Sequence, residues 1–245
     1  MNLYKKYNIL GIPFIDGVYN YAINILNKGG LMVVPAAPAL ATISENKKYH
    51  DALINSDFAI PDSGYMVLLL RIFKRIYLNK LSGYAFLKEF FKEKSLSEKK
   101  CLFLIDPTEN DITINNNFLH KQNILIDLDY HYCAPIYDKN WIEDPIALKL
   151  IEEKKPKYIM INLGGGVQER LGYYLKNHLS YSPGIICTGA AIAFFTGQQV
   201  VLSAWIDRFY LGWLWRIIQN PIIFLPRYLK GVKLFVMLLK KGSVK

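Results

Sequence analysis

Asp62 follows a short apolar run and precedes a helical stretch, in Pro61-Asp62-Ser63-Gly64. A carboxylate so placed can act as general base toward an attacking hydroxyl. It serves equally well as N-cap of the helix that follows. The second feature is Gly164-Gly165-Gly166, which ends an apolar run over 158–163 that reads as a buried strand. Three glycines let the backbone turn sharply and approach a ligand. Residues 167–179 then read as a helix with Leu171, Leu175 and Leu179 on one face. The N–H groups at such a helix start predict a seat for phosphate, with a plain strand-to-helix turn as the alternative. The pattern argues against NAD, because the third glycine of a dinucleotide fingerprint would fall at Glu169. Nor does any acid stand between Arg170 and Ile206 to hold a ribose.

Gln168 and Glu169 occupy the first turn of that helix. The amide can reach a sugar or phosphate; the carboxylate suits the helix dipole with or without a function. Asp127 and Asp129, two apart at a predicted strand end, could hold a divalent metal against a diphosphate, but acids so spaced are common on edges and turns. His50, His120, His131 and His178 show no ligand spacing, and there is no nucleophile elbow, Walker loop or HExxH. Arg216 and Arg227 can clamp a diphosphate or meet lipid headgroups and solvent.

These residues need a scaffold. Short apolar runs at 9–14, 31–34, 57–60, 101–105, 123–128, 158–163 and 184–187 alternate with helical stretches. That alternation predicts an α/β fold with a mostly parallel, Rossmann-like sheet. Asp16 is expected to cap the first helix, and a small-residue helix is expected from Thr188 to Gly197. Ligands of such sheets sit at the carboxyl ends of the strands, where Asp62, Gly164, Gly165, Gly166, Thr188 and Gly189 all fall.

The 245 residues suffice for a sizeable core, expected as an α/β unit over 1–200 and a helical appendage over 201–245. Three unspaced cysteines suit a reducing compartment, and neither a signal peptide nor an ~18-residue apolar span is evident. Net charge is +10, and eight basic residues against Asp207 alone place most of it after Val201. There Trp205, Tyr210, Trp213, Trp215, Phe224, Tyr228 and Phe235 are interleaved with Arg and Lys. Aromatic-basic helices of this kind suit an anionic membrane surface; so much apolar surface argues against nucleic acid. The expectation is a cytoplasmic protein, peripheral on the inner face of the cell membrane. Oligomeric state is open, a homo-oligomer included.

Together these stretches resemble the WecG/TagA/CpsF glycosyltransferases (glycosyltransferase family 26), from at least Leu31 to Tyr228. Pro61-Asp62-Ser63-Gly64 resembles the family's Ala-Asp-Gly segment, and Lys80-Leu81-Ser82-Gly83 its Arg-Val-Thr-Gly. Leu163 to Glu169 is similar to its Leu-Gly-x-Pro-x-Gln-Glu, and Thr188-Gly189-Ala190-Ala191 to its glycine-led helix. Trp205, Trp213, Arg216, Pro221, Arg227 and Tyr228 follow its C-terminal series. The resemblance implies inverting transfer of a sugar of N-acetylmannosamine type from a UDP-sugar to a polyprenyl-diphosphate-linked saccharide, without an essential metal or other cofactor. It implies Asp62 as base, and Gln168 and the glycine turn near the donor, with Lys80, Thr188 and Gly189 on the substrate side. It implies Arg216 and Arg227 near the acceptor or leaving diphosphate. Pro35, Ala37, Ala85, Ala193 and Gly212 replace polar family positions. They imply either a different donor or a non-catalytic relative that binds a nucleotide-sugar or lipid head.

Overall fold

A computed structural model describes residues 5–98, 100–138, 142–198, 217–218, 221–229 and 231–240. Among them, β1 (Lys5–Ile9) and β2 (Ile12–Asp16) form a hairpin, followed by α1 (Tyr19–Leu26), β3 (Gly30–Val33), α2 (Ala37–Leu40) and α3 (Lys47–Ile54). Then come β4 (Phe58–Ala59), α4 (Gly64–Lys74), α5 (Gly83–Phe90), β5 (Leu102–Asp106), α6 (Glu109–Lys121) and β6 (His131–Cys133). The last elements are α7 (Pro145–Lys154), β7 (Tyr158–Ile161), α8 (Val167–His178), β8 (Gly184–Cys187), α9 (Pro221–Leu229) and α10 (Gly231–Leu239).

The strands form one sheet in the order β1-β2-β4-β3-β8-β7-β5-β6. Among the described residues only the β1–β2 pair is antiparallel. Every residue of β3, β5, β7 and β8 is buried, as expected when helices cover both faces. Alternation sorts their side chains into two cores. Leu31, Val33, Ile159, Ile161, Ile185 and Cys187 face one core, with α2, α3, α4, α8 and α10. Met32, Tyr158, Met160 and Ile186 face the other, with α1 and α5. Gly172 brings α8 hard onto the sheet: a Cβ there would lie 2.8 Å from Leu31 Cδ1 and 3.0 Å from Cys187 Sγ.

Several expectations need correction. The run over 9–14 is no single strand; it straddles the hairpin turn, where Leu10 and Gly11 take left-handed φ of 56° and 85°. Asp16 caps nothing: Val18 is the N-cap of α1, and Asp16 Oδ1 accepts from the Asn79 amide and side chain at 3.0 and 2.8 Å. Residues 123–128 form no strand; the edge strand β6 begins only at His131, after a 3-10 turn at Leu128–Tyr130. The small-residue helix expected from Thr188 to Gly197 is shorter, a 3-10 segment over Gly189–Phe194.

α10 lies against α4 and α2 with Leu234 and Leu238 buried. The Tyr65 hydroxyl donates to the Gly231 carbonyl (3.3 Å), and Lys74 Nζ donates to the carbonyls of Leu239 and Lys240 (3.3 Å each). The lysine thus satisfies terminal carbonyls that the helix itself leaves open. No helix among the described residues is long and apolar enough to cross a membrane.

Candidate active site

Asp62 follows β4, but it is not the cap of α4. Ser63 is, its hydroxyl accepting the Met66 N–H at 3.1 Å. The half-buried Asp62 carboxylate instead accepts the Gly83 N–H at 3.2 Å, at the start of α5. The loop between α4 and α5 carries Lys80 and is anchored by Leu81, whose N–H donates to the Pro61 carbonyl (3.1 Å). Space beside Gly83 is bounded by Val34 at the end of β3 and by Thr188 at the end of β8. Three strand ends therefore meet around Asp62, at the carboxyl edge where open α/β sheets take their ligands.

The turn after β8 is tied to the turn after β7. The Gly189 N–H donates to Gln168 Oε1 at 2.7 Å, and Gln168 Nε2 donates to Glu169 Oε1 at 3.0 Å. Glu169 Oε2 accepts the Gly166 N–H at 2.6 Å. Gly166 needs its φ of 89° to present that amide, a conformation glycine adopts without strain. Arg170 Nε closes the turn from behind, donating to the Gly166 carbonyl at 2.6 Å. A continuous run of contacts thus links Asp62, Gly83, Thr188, Gly189, Gln168, Glu169 and the glycine turn.

The glycine turn is only partly the phosphate seat that sequence predicts. The N–H groups of Val167 and Gln168 bond the Gly164 carbonyl at 3.1 and 3.2 Å, and that of Gly166 is held by Glu169. The outward surface is that of Gly164 and Gly165, both exposed, with nothing within 4 Å of where a Cβ would stand. Gln168, 2% exposed, is a strap between two turns in this structure. Glu169 is 1% exposed, and burial pushes its carboxyl up to about 7 despite its hydrogen bonds to Gly166 and Gln168. Burial disfavours the charged form, whereas N–H donors favour it. The Thr188 hydroxyl is buried and has no partner among the described residues.

Sequence reasoning missed a second buried knot, on the other face at the ends of β5 and β7. Asn115 and Asn162 each donate Nδ2 to Asp106 Oδ1 at 2.7 Å, and His131 Nδ1 stands 3.8 Å from Asp106 Oδ2. All four are at least nine-tenths buried. Asn162 is two residues before Gly164, so this knot fixes the incoming side of the turn. The available signals were an acid closing an apolar strand (Leu102 to Asp106) and an amide interrupting the approach to three glycines.

Elsewhere, Asp129 pairs with Lys154, and Asp127 starts the 3-10 turn. The strand that would have put both acids on one face is absent. Among the described residues no group of three or more His, Cys, Asp or Glu is arranged to hold a metal ion. Arg216 lies outside the described residues, and Arg227 falls on α9 with its side chain undescribed. One edge over from β4, Lys5, Tyr7, Asp16, Arg75, Ile76 and Tyr77 line a recess of about 450 Å³.

A half-buried carboxylate that accepts the Gly83 amide, with glycine turns on the same edge, can take a proton from a hydroxyl while an anion rests against main-chain donors. Comparison with known proteins gives that chemistry a context. The chain is 23% identical over 237 residues to an N-acetylglucosaminyldiphosphoundecaprenol N-acetyl-beta-D-mannosaminyltransferase of Bacillus subtilis (strain 168), covering 90% of this chain and 88% of that protein. It is 21% identical over 213 residues to the like-named protein of Bacillus spizizenii (strain ATCC 23059 / NRRL B-14472 / W23), covering 84% and 79%. Residues 7–245 match the Glycosyl transferase WecG/TagA/CpsF family, and the chain belongs to that family of glycosyltransferases.

Proposed function

We propose that this glycosyltransferase moves a sugar of N-acetylmannosamine type from a UDP-sugar to a polyprenyl-diphosphate-linked saccharide, with inversion, in surface polysaccharide or teichoic acid synthesis. The observation that carries the reading is Asp62 held at the same sheet edge as the glycine turn and Thr188. The relatives' names support the substrate pair. In this mechanism the acceptor hydroxyl oxygen bonds to the donor's anomeric carbon as the carbon–oxygen bond to UDP breaks. The hydroxyl proton passes to Asp62, and UDP departs with the bonding electrons. The donor diphosphate rests against Gly164 and Gly165, with Lys80, Thr188, Gly189 and Gln168 around the donor. Arg216 and Arg227, from the tail, offset charge on the leaving or acceptor diphosphate. Lys5 and Arg75 in the recess beside β2 add a cationic flank.

The acceptor's lipid places the work at a membrane surface, with residues 201–245 as the attaching appendage. Ile222, Leu225, Leu229, Val232, Val236 and Leu239 are exposed on α9 and α10, and Ile72, Phe73 and Tyr77 are exposed nearby on and after α4. Arg71 and Lys74 on α4 and Arg75 at its end supply cations on that side. Such a surface matches headgroup phosphate above and acyl chains below.

The test offers radiolabelled UDP-sugars with polyprenyl-diphosphate acceptors to the full chain and to a chain lacking the residues after Val201. Labelled lipid product from a UDP-N-acetylmannosamine-type donor is expected. A second reading, a non-catalytic binder, draws on Ala85 and the buried Ala193 at polar family positions. Nucleotide-sugar binding without turnover across the donor panel would establish it instead.

A further inference from the structure

We propose that Glu169 is a positioning residue whose ionised carboxylate sets the direction of a three-bond relay locking the Gly166 and Gly189 turns in register. Each bond has one allowed sense. The Gly189 N–H can only donate, so Gln168 must turn Oε1 toward it and Nε2 toward Glu169. The Gly166 N–H can only donate as well. Glu169 therefore has to accept at both oxygens, which suits a carboxylate, an acceptor only; a protonated acid still accepts but adds an O–H donor that needs an acceptor of its own. A proton on Oε1 directed along that bond sets two donors facing each other, and one directed away weakens Oε1 as an acceptor. If the Gln168 amide flips to relieve this, its Nε2 meets the Gly189 N–H, and that bond is lost.

The surroundings isolate the relay. From α3 the Tyr49 hydroxyl faces the carboxylate, and from β8 the Cys187 thiol; burial, then the charge on Glu169, raise the affinity of each for its proton. Arg170 is the cation beside it, and β3 presents only Gly30, Leu31, Met32 and Val33. The Cys187 thiol donates to the Gln168 carbonyl at 3.4 Å, fixing the strap's backbone. The Tyr49 hydroxyl has no hydrogen-bond partner among the described residues. Burial holds the Glu169 carboxyl near 7, so the relay's sense is set within the physiological range.

The consequence for turnover rests on the glycine turn serving the donor, as proposed above; the relay itself does not. The amide signals of the full chain labelled with ¹⁵N-glycine are therefore followed from pH 5 to 9, beside those of Glu169→Gln. In the natural chain Gly166 and Gly189 shift together with one midpoint, although Gly189 has no contact with the carboxylate except through Gln168. In Glu169→Gln neither moves. Gly166 titrating alone, or neither titrating in the natural chain, overturns the relay; that measurement stands even if the variant does not fold. On a competent donor–acceptor pair, Glu169→Gln raises donor KM about tenfold, the loss of one hydrogen bond, and abolishes the acid limb of kcat/KM. Coupled amide shifts with an unchanged donor KM would leave the relay standing and move the donor elsewhere.

Discussion

Replacing Asp62 by Asn preserves size and an acceptor oxygen for the Gly83 amide, so the fold and the donor seat are expected to survive. Transfer should fall by about 10²-fold or more, the usual contribution of a general base. Full activity in Asp62→Asn would remove that assignment. Glu169 behaves differently, because its burial costs stability. Its carboxyl titrates near 4.5 in a free chain and near 7 in the fold. Between those values the native state binds the extra proton. Stability from this residue is thus complete at low pH and declines as pH rises through the window, by at most roughly 3 kcal/mol. Urea unfolding at pH 5 and pH 8 should show that decline in the natural chain, and a smaller one in Glu169→Gln. Neither residue's environment was legible from its neighbours in sequence. Asp62 had two roles open until Ser63 took the cap. Glu169 read as a first-turn acid suited to the helix dipole because the helix that packs over it, α3, lies over a hundred residues away.

The unit of β7, glycine turn and α8 was readable because an apolar run, three glycines and leucines at helical spacing all agree. The hairpin was not, since Leu10 is apolar yet sits in the turn with left-handed φ. Residues 123–128 misled through a false alternation: Ile124 is buried, but Leu125 and Leu128 are 44% and 72% exposed. The glycines of the readable unit have two different duties, which substitution separates. Gly172→Val drives a side chain into Leu31 and Cys187. It should cost about 1–3 kcal/mol by overpacking, measured by urea unfolding. Gly164→Ala meets nothing within 4 Å, so stability should hold while donor KM rises. A stable Gly164→Ala with unchanged donor KM would place the diphosphate away from this turn.

The net charge of +10 and the apolar exposure on α4, α9 and α10 both suit the membrane attachment proposed above. Co-sedimentation with anionic vesicles should be strong at low salt and weaken as salt rises, because screening acts on the cationic part of the attraction. Ile72→Asp or Val236→Asp should lower vesicle binding about tenfold, since each withdraws an exposed apolar group from lipid. Their thermal midpoints should barely move. Salt-independent sedimentation would assign the attachment to apolar contact alone. The tail's composition, interleaved rings and cations, suggested an appendage; the docking of α10 on α4 and α2 was not legible, because nothing in the tail specifies which helix Leu234 and Leu238 meet.

That docking has a mechanical corollary. α10 grips α4 through Tyr65, Lys74 and the Phe73–Phe235 ring contact at 4.8 Å, and α4 begins two residues after Asp62. With α10 on lipid and Asp62 as base, as proposed above, the contact gears the helix to the carboxylate, and the bilayer should tune turnover as well as recruit the enzyme. Vesicles added to a short, water-soluble acceptor, which needs no membrane to be reached, should still change kcat; Tyr65→Phe, which uncouples one tooth of the gear, should blunt the response.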